Sequence, residues 1–196
     1  MRKKAEYRSA IRSRRLIREA FRELMNEKPI DQITVMDIVR RADINRGTFY
    51  AHYRDTKAVI EQIENEVIEK IIEILKTFRF KSFVDNPRSI FETIAHFIDK
   101  DKSLYQKLIN ASGSELFIVK LKKLIINYLQ LHSDIPDEIK LAPEFVIRSH
   151  FFAGGAASLY ETWLKGELDC SLSDITNEVA KQAEAMLHLL QLEPDH

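Results

Sequence analysis

One cysteine, five glycines and five prolines are all that this chain of 196 residues holds of the residue types that staple or interrupt a backbone. A lone Cys170 closes no intramolecular disulfide and builds no cysteine cage for zinc, and it suits a reducing cytoplasm. Strand-like alternation of apolar and polar residues is missing, while apolar residues recur at helical spacing nearly throughout. The expected fold class is therefore all-α. No apolar run reaches the roughly 18 residues of a membrane span. The opening from Met1 to Arg18 is basic and interrupted by charge, unlike a signal peptide. The expectation is a cytoplasmic protein with no membrane partner.

A formal net charge of zero conceals an uneven distribution. Residues 1–57 hold fifteen Lys or Arg against eight Asp or Glu, an excess of seven, so the remaining residues carry fifteen against twenty-two. A positive footprint confined to one end is what phosphate binding requires, and an acidic remainder limits indiscriminate adhesion to DNA.

The basic end also carries the most structured stretch, ITVMDIVRRADINRGTFYAHY from Ile33 to Tyr53. Thr34 is a good N-cap, with Asp37 at the third helical position and Ile33 and Ile38 placed as a hydrophobic staple, so a helix is predicted from Val35. Asn45 repeats the grammar, with Ile44 and Phe49 as its staple, and predicts a second helix from Arg46. Ala42, Asp43 and Ile44 leave room only for a sharp turn between them. The pair reads as a helix-turn-helix closed by Ile38, Val39, Ala42, Ile44, Phe49 and Tyr53. Outward on the second helix stand Arg46, Gly47, Thr48, Tyr50, Ala51 and His52. Arg suits guanine, a Thr methyl suits the thymine methyl, and hydroxyls reach phosphates. Gly47 is expensive inside a helix, by about 1 kcal/mol relative to Ala, which suggests a close approach of backbone to DNA. The competing reading is a solvated helix on a bundle.

The pattern of Thr34, Ile38, Ala42, Ile44, Asn45, Gly47, Thr48, Phe49, Tyr50, His52 and Tyr53 resembles the signature of the tetracycline-repressor (TetR-type) family of one-component bacterial regulators. The resemblance is specific over about the first 60 residues. It implies that the second helix reads operator DNA and that Tyr50 and Thr34 touch the phosphate backbone. The family usually has Lys three residues after the closing aromatic. Here that slot is Thr56, with Lys57 next to it, which leaves open whether Lys57 takes the phosphate contact.

Around this motif the periodicity predicts about nine helices. One runs from Ser9 to Asn26, after a basic arm of Arg2, Lys3 and Lys4 expected to be disordered. A connector follows from Asp55 or Thr56 to Phe78, then a loop from Lys81 to Pro87. Helices are expected at 88–99, 103–111, 114–132, 143–165 and 172–192, with a polar connection from Ser133 to Pro143. Two domains result: a DNA-binding domain over residues 1–57 and a helical regulatory and dimerisation domain over 58–196. Pro143 suits a first helical position, Gly166 a C-terminal cap, and Ser171 with Asp174 a capping box. Gly154, Gly155, Ala156, Ala157 and Ser158 strip side chains from successive positions, which implies a close helix crossing. The resemblance implies that the last two helices form a four-helix dimer interface, and the Gly-Gly stretch followed by Trp163 resembles a Firmicutes-like branch. Gly154, Gly155, Ser158, Ile175, Val179, Met186 and Leu190 are the expected interface residues of a homodimer.

Six histidines, His52, His96, His132, His150, His188 and His196, show no close ligand spacing, and no metal or cofactor is expected. No nucleophile elbow or phosphate-cradling glycine loop is present, so no enzyme is expected. Phe91, His96, Phe97, Tyr105, Phe117, His150, Tyr160 and Trp163 could line a cavity. Ordinary core is the competing reading, since Phe and Trp usually are core. The resemblance implies a small apolar or amphipathic effector there. The expected function is a one-component transcriptional regulator, a repressor acting as a dimer on a near-palindromic operator. The alternatives are a helical small-molecule, lipid or acyl-group carrier with no DNA role, which leaves the basic end idle, and a small helical enzyme, which lacks a catalytic constellation.

Overall fold

The computed structural model describes residues 2–111, 114–131 and 134–189. Among the described residues there are eleven α-helices, one 3-10 turn at Ile30–Gln32 and no strand. The expected all-α class is correct and the expected count of nine is corrected to eleven.

Helix α1 spans Arg2–Leu24. It starts seven residues ahead of the expected Ser9, because no Gly, Pro, Asn or Asp interrupts this run and nothing stops the helix propagating. The arm of Arg2, Lys3 and Lys4 is thus helical rather than disordered. Helices α2 (Val35–Arg41), α3 (Arg46–Tyr50) and α4 (Thr56–Thr77) begin where their caps predict. Asp55 Oδ1 accepts the Ala58 N–H at 2.8 Å and so caps α4.

The chain divides into two compact units, Met1–Val67 with Asn110–Ser112, and Ile68–Ile109 with Gly113–His196. The division falls inside α4, ten residues beyond the boundary expected at 57. In the first unit Ile17, Phe21, Ile38, Phe49, Val59 and Ile63 are completely buried. Each such side chain contributes about 1.5–3 kcal/mol, so α1, α2, α3 and the start of α4 share one small core. Ion pairs at its edge add register to it. Arg18 Nε meets Glu66 Oε1 at 2.9 Å between α1 and α4. Arg41 on α2 reaches Glu27 at 2.7 Å and Glu23 at 3.3 Å on or just beyond α1, which raises its own pKa.

The second unit holds α5 (Phe80–Asp85), α6 (Arg88–Lys100), α7 (Lys102–Ile109), α8 (Ser114–Leu131), α9 (Asp137–Lys140), α10 (Pro143–Leu164) and α11 (Leu172–Leu189). Helices α5 and α9 stand where a loop and a polar connection were expected. Asp134 Oδ1 accepts the Phe80 N–H at 2.8 Å and starts α5, whose Phe83 packs edge-on against Phe91. Pro136 starts the single turn of α9, held by Lys140 on Asp137 at 2.9 Å. Both are too short to show a helical stripe in sequence. Helix α10 ends as expected: Gly166 has φ +78° and the Glu167 N–H reaches back to the Thr162 carbonyl at 3.1 Å, a Schellman closure. Helix α11 packs on α6 and α10, and α10 on α8 and α7. No helix among the described residues is long and apolar enough to cross a membrane.

Candidate nucleic-acid interface

The helix-turn-helix forms from its caps. Thr34 Oγ1 accepts the Asp37 N–H at 3.2 Å, and Asp37 Oδ2 accepts from Thr34 N at 2.9 Å and Thr34 Oγ1 at 2.7 Å. Lys28 Nζ joins the same carboxylate. Lys28 and then Thr34 hold the Asp37 carboxyl well below the usual range. The Thr34 hydroxyl is thereby committed at both ends, and a phosphate contact by its proton requires breaking the bond to Asp37.

Between α2 and α3 the chain turns through Asp43, at φ +50° the one non-glycine residue of positive φ among those described. The Ile44 N–H reaches the Val39 carbonyl at 3.2 Å and the Asp43 N–H the Arg40 carbonyl at 3.4 Å. This is a Schellman closure with aspartate in the glycine position, tolerable because Asp is among the few residues that enter the left-handed region.

At the start of α3 Asn45 Oδ1 accepts the Thr48 N–H at 2.7 Å and the Thr48 hydroxyl at 3.1 Å. Both bonds use the Asn45 oxygen, so its amide nitrogen is left to face elsewhere as a donor, and Thr48 is left with its methyl group. Phe49 is fully buried, with Tyr50 at 5.5 Å and Tyr53 at 6.0 Å between ring centroids. Packing on one side of α3 sends the rest outward: Arg46 and Gly47 are exposed, Tyr50 is 55% exposed, and Thr48 and His52 are half-buried. Burial, and then the charge of Arg14, lower the His52 pKa. Arg46 and Lys57 are exposed and have no ion-pair partner among the described residues. The exposed and half-buried groups of α3 and of the first turn of α4 thus include a free guanidinium, a phenol, a methyl group and an ammonium, a set able to meet base edges and phosphates.

In the second unit the residues expected around a ligand separate. Phe91 is buried between Phe83 at 6.3 Å and Phe152 at 5.8 Å, and Phe97 meets Tyr105 at 5.4 Å. Phe117 is buried on α8. Trp163 is buried, donates Nε1–H to the Cys170 carbonyl at 2.9 Å, and lies under Lys102 Nζ at 4.2 Å. Burial raises the Tyr160 phenol, against a smaller opposing effect of Thr176. His96 and His150 are exposed, so a cavity lined by them opens to the surface. Ser149 was missed: it is 2% exposed on α10, and its hydroxyl has no hydrogen-bond partner among the described residues. A serine one turn beyond Phe145 gave no signal in sequence, where it reads as a surface residue.

The expected dimer residues divide too. Ile175 and Val179 are buried inside the chain, on the stripe of α11 that packs against its neighbours, and do not form an exposed face. Their periodicity correctly showed that they need cover; α6 and α10 supply it. Gly155 and Ser158 are exposed, Gly154 and Met186 half-buried, and a Cβ built on either glycine would meet nothing within 4 Å. Close packing within this chain does not explain those glycines. Leu190, His132 and His196 lie outside the described residues. Beside Gly155, however, Ile147 and Phe151 are 68% and 85% exposed on the same face of α10.

Residues 17–63 match the family profile described as bacterial regulatory proteins, tetR family, and residues 85–185 match that of a transcriptional regulator C-terminal region. The chain is 23% identical over 171 residues to an uncharacterized HTH-type transcriptional regulator, YxbF, of Bacillus subtilis, a match covering 83% of this chain and 42% of that protein. It is 24% identical over 119 residues to DhaS of Lactococcus lactis, the HTH-type transcriptional activator of the dhaKLM operon, covering 59% of this chain and 60% of that one. The chain thus spans about half the length of these curated relatives. A crystal structure of a TetR-family regulator from Syntrophomonas wolfei superposes with a TM-score of 0.66 at 12% identity, covering 89% of this chain and 94% of that one. At that identity the likeness establishes the fold.

Proposed function

The chain belongs to the tetR family of bacterial regulatory proteins, and we propose on that premise that it is a DNA-binding transcriptional regulator acting as a two-fold dimer. The observation that carries this reading is the outward set on α3, with Arg46 unpaired and Asn45 and Thr48 locked by the cap. Arg46 and the Thr48 methyl read bases; Tyr50, Lys57 and the Asn45 amide hold phosphates. His52 and Gly47 flank these groups on the DNA-facing surface.

Dimerisation is supported by the exposed face of α10. Ile147, Phe151, Gly155 and Ser158 recur at i, i+4, i+8 and i+11, and Leu189 on α11 is 67% exposed. Such a self-complementary stripe suits an isologous interface, which gives a near-palindromic operator read in major grooves roughly 34 Å apart or a multiple of that.

For control, a small apolar or amphipathic effector binds the second unit. Buried polar groups without partners are rare, and the Ser149 hydroxyl, buried on α10 without a hydrogen-bond partner among the described residues, is the donor or acceptor such a molecule engages. Helix α4 starts in the first unit and ends in the second, and it transmits the effect by changing the separation of the two reading heads. The regulatory sign proposed is repression, by occupancy of the operator. Sequencing the duplex fragments retained by the purified chain, then transcribing a reporter behind the selected site, tests the whole reading. A near-palindrome and reduced transcription are expected. Retention of random sequence alone overturns operator recognition.

A further inference from the structure

Ahead of residue 17, where the family profile begins, α1 continues back to Arg2. Among the described side chains of the helix none from Arg8 to Leu16 is buried, only Ala10, Ser13 and Leu16 are half-buried, and the first buried one is Ile17. At 1.5 Å per residue this leaves roughly 13 Å of described helix beyond the core. A helical segment with little tertiary packing is marginal by itself, so its sequence reports what else it meets. Residues 2–16 contain seven Lys or Arg and one Glu. Elsewhere on α1 and α2, Arg18 pairs with Glu66 and Arg41 with Glu23 and Glu27, while Arg40 is exposed without an ion-pair partner among the described residues. In the projecting segment Arg15 meets Glu19 at 3.4 Å, but Arg8, Arg12 and Arg14 are exposed and have no ion-pair partner among the described residues. Arg14 acts on His52, two residues past the end of α3. The unpaired positive charge is therefore continuous with the reading surface.

We infer that the projecting part of α1 is a second DNA-binding element, in which Arg8, Arg12 and Arg14 take phosphates flanking the bases read by α3. It rests on the reading of α3 as the reading helix. An acidic protein partner would share the charge complementarity but not the adjacency to α3, which is why duplex DNA is favoured. The contacts carry no base information, since guanidinium groups on phosphate oxygens position rather than specify.

The test uses the full chain and a selected duplex in long and short forms, the short one trimmed of its flanks. Each phosphate contact steepens the plot of log affinity against log salt by about 0.9. Replacing Arg8, Arg12 and Arg14 together by Ala removes three contacts from each protomer of the dimer, so it is expected to flatten that slope by about 5 on the long duplex and to change it little on the short one. The triple Lys variant keeps the charge and should recover most of the slope, which guards against a loss of helix being read as a loss of contact. An unchanged slope in the triple Ala variant overturns this inference and leaves the reading helix standing. Weakened binding to polyglutamate with the DNA slope unchanged also overturns it, in favour of an acidic protein. A wild type that binds no duplex overturns this inference and the proposed function together.

Discussion

A Cβ on Gly47 would stand 3.2 Å from the capping oxygen of Asn45. That oxygen is already held by the Thr48 N–H and hydroxyl, so the glycine has a reason inside the protein: it keeps the cap of α3 intact. Ala at an interior helical position is worth up to about 1 kcal/mol over Gly, and disturbing an Asn cap costs about 1 kcal/mol. Gly47→Ala should therefore leave stability nearly unchanged in the wild type. In an Asn45→Ala background, where the crowded oxygen is gone, it should stabilise by about 1 kcal/mol. Urea unfolding of the four proteins measures the coupling. Equal stabilisation in both backgrounds would return Gly47 to the explanation drawn from sequence, an approach to DNA.

Asp43 offers a second backbone prediction. Its φ of +50° costs an ordinary L-residue about 1–2 kcal/mol, and glycine nothing. Asp43→Gly should stabilise by a few tenths to about 1 kcal/mol, part of the gain being offset by the freedom of glycine in the unfolded chain. Asp43→Val should destabilise by about 1 kcal/mol or more, because branching at Cβ worsens the same conformation. Thermal unfolding distinguishes the two directions, and a stabilised Val variant would mean that the turn is built differently.

Asp37 has a folded pKa below its ordinary value of 3.8, so at pH values between the two the unfolded chain binds the proton more readily. The stability it contributes is fully present above about pH 4 and is lost as pH falls through the folded value. Asp37→Asn should destabilise at pH 7 by about 0.5–2 kcal/mol, the range for a capping interaction. The gap to wild type should then narrow steadily as acid is added below pH 4. Denaturant melts from pH 7 downward show this, and a gap independent of pH would remove the carboxylate from the account.

What was legible in the sequence was whatever chemistry is local. Thr34, Asn45, Asp55, Ser171 and Gly166 mark helix ends through bonds to residues within a few positions, and the helices begin or end there. Ile175 and Val179 show the limit of periodicity: it reports that a stripe needs cover but not whether the same chain or another supplies it. His96 and His150 show a related limit: both are exposed, and a residue near a stripe lies on its inner or outer side with a shift of one position. Phe80–Asp85 and Asp137–Lys140 were missed because a helix of one or two turns owes its existence to a distant group such as Asp134 on Phe80, which no local pattern contains.

The division between core and open face on the last helices is itself testable. Phe151 is 85% exposed and Val179 1%. Phe151→Glu should leave the chain folded, with an unchanged circular dichroism spectrum, and should dissociate the dimer, because an unpaired charge buried at an interface costs several kcal/mol. Val179→Ala should instead lower stability by about 2 kcal/mol through lost methyl groups and the void they leave, with dimerisation tracking the folded fraction. Light scattering at micromolar concentration decides. A Phe151→Glu protein that stays dimeric would move the interface off this face of α10.

The last prediction concerns how Thr48 reads DNA. Its hydroxyl donates to Asn45 Oδ1 at 3.1 Å while its N–H takes the same oxygen at 2.7 Å, so the methyl group is the part left for recognition. In the major groove a methyl group distinguishes thymine through the thymine 5-methyl. Thr48→Val keeps the methyl and loses the bond to the cap, so it should keep the base preference while lowering stability by about 1 kcal/mol. Thr48→Ser keeps the bond and loses the methyl, so it should fold like the wild type and relax the preference. Burying one methyl or methylene pair is worth about 0.8 kcal/mol, which corresponds to a three- to fivefold difference in affinity. Replacing the contacted thymine by deoxyuridine removes the DNA partner of the same contact: wild type and Val variant should lose about that factor, and the Ser variant should be indifferent. The opposite pattern, preference kept by Ser and lost by Val, would show that the hydroxyl leaves Asn45 to read a base, and that the cap of α3 opens on binding.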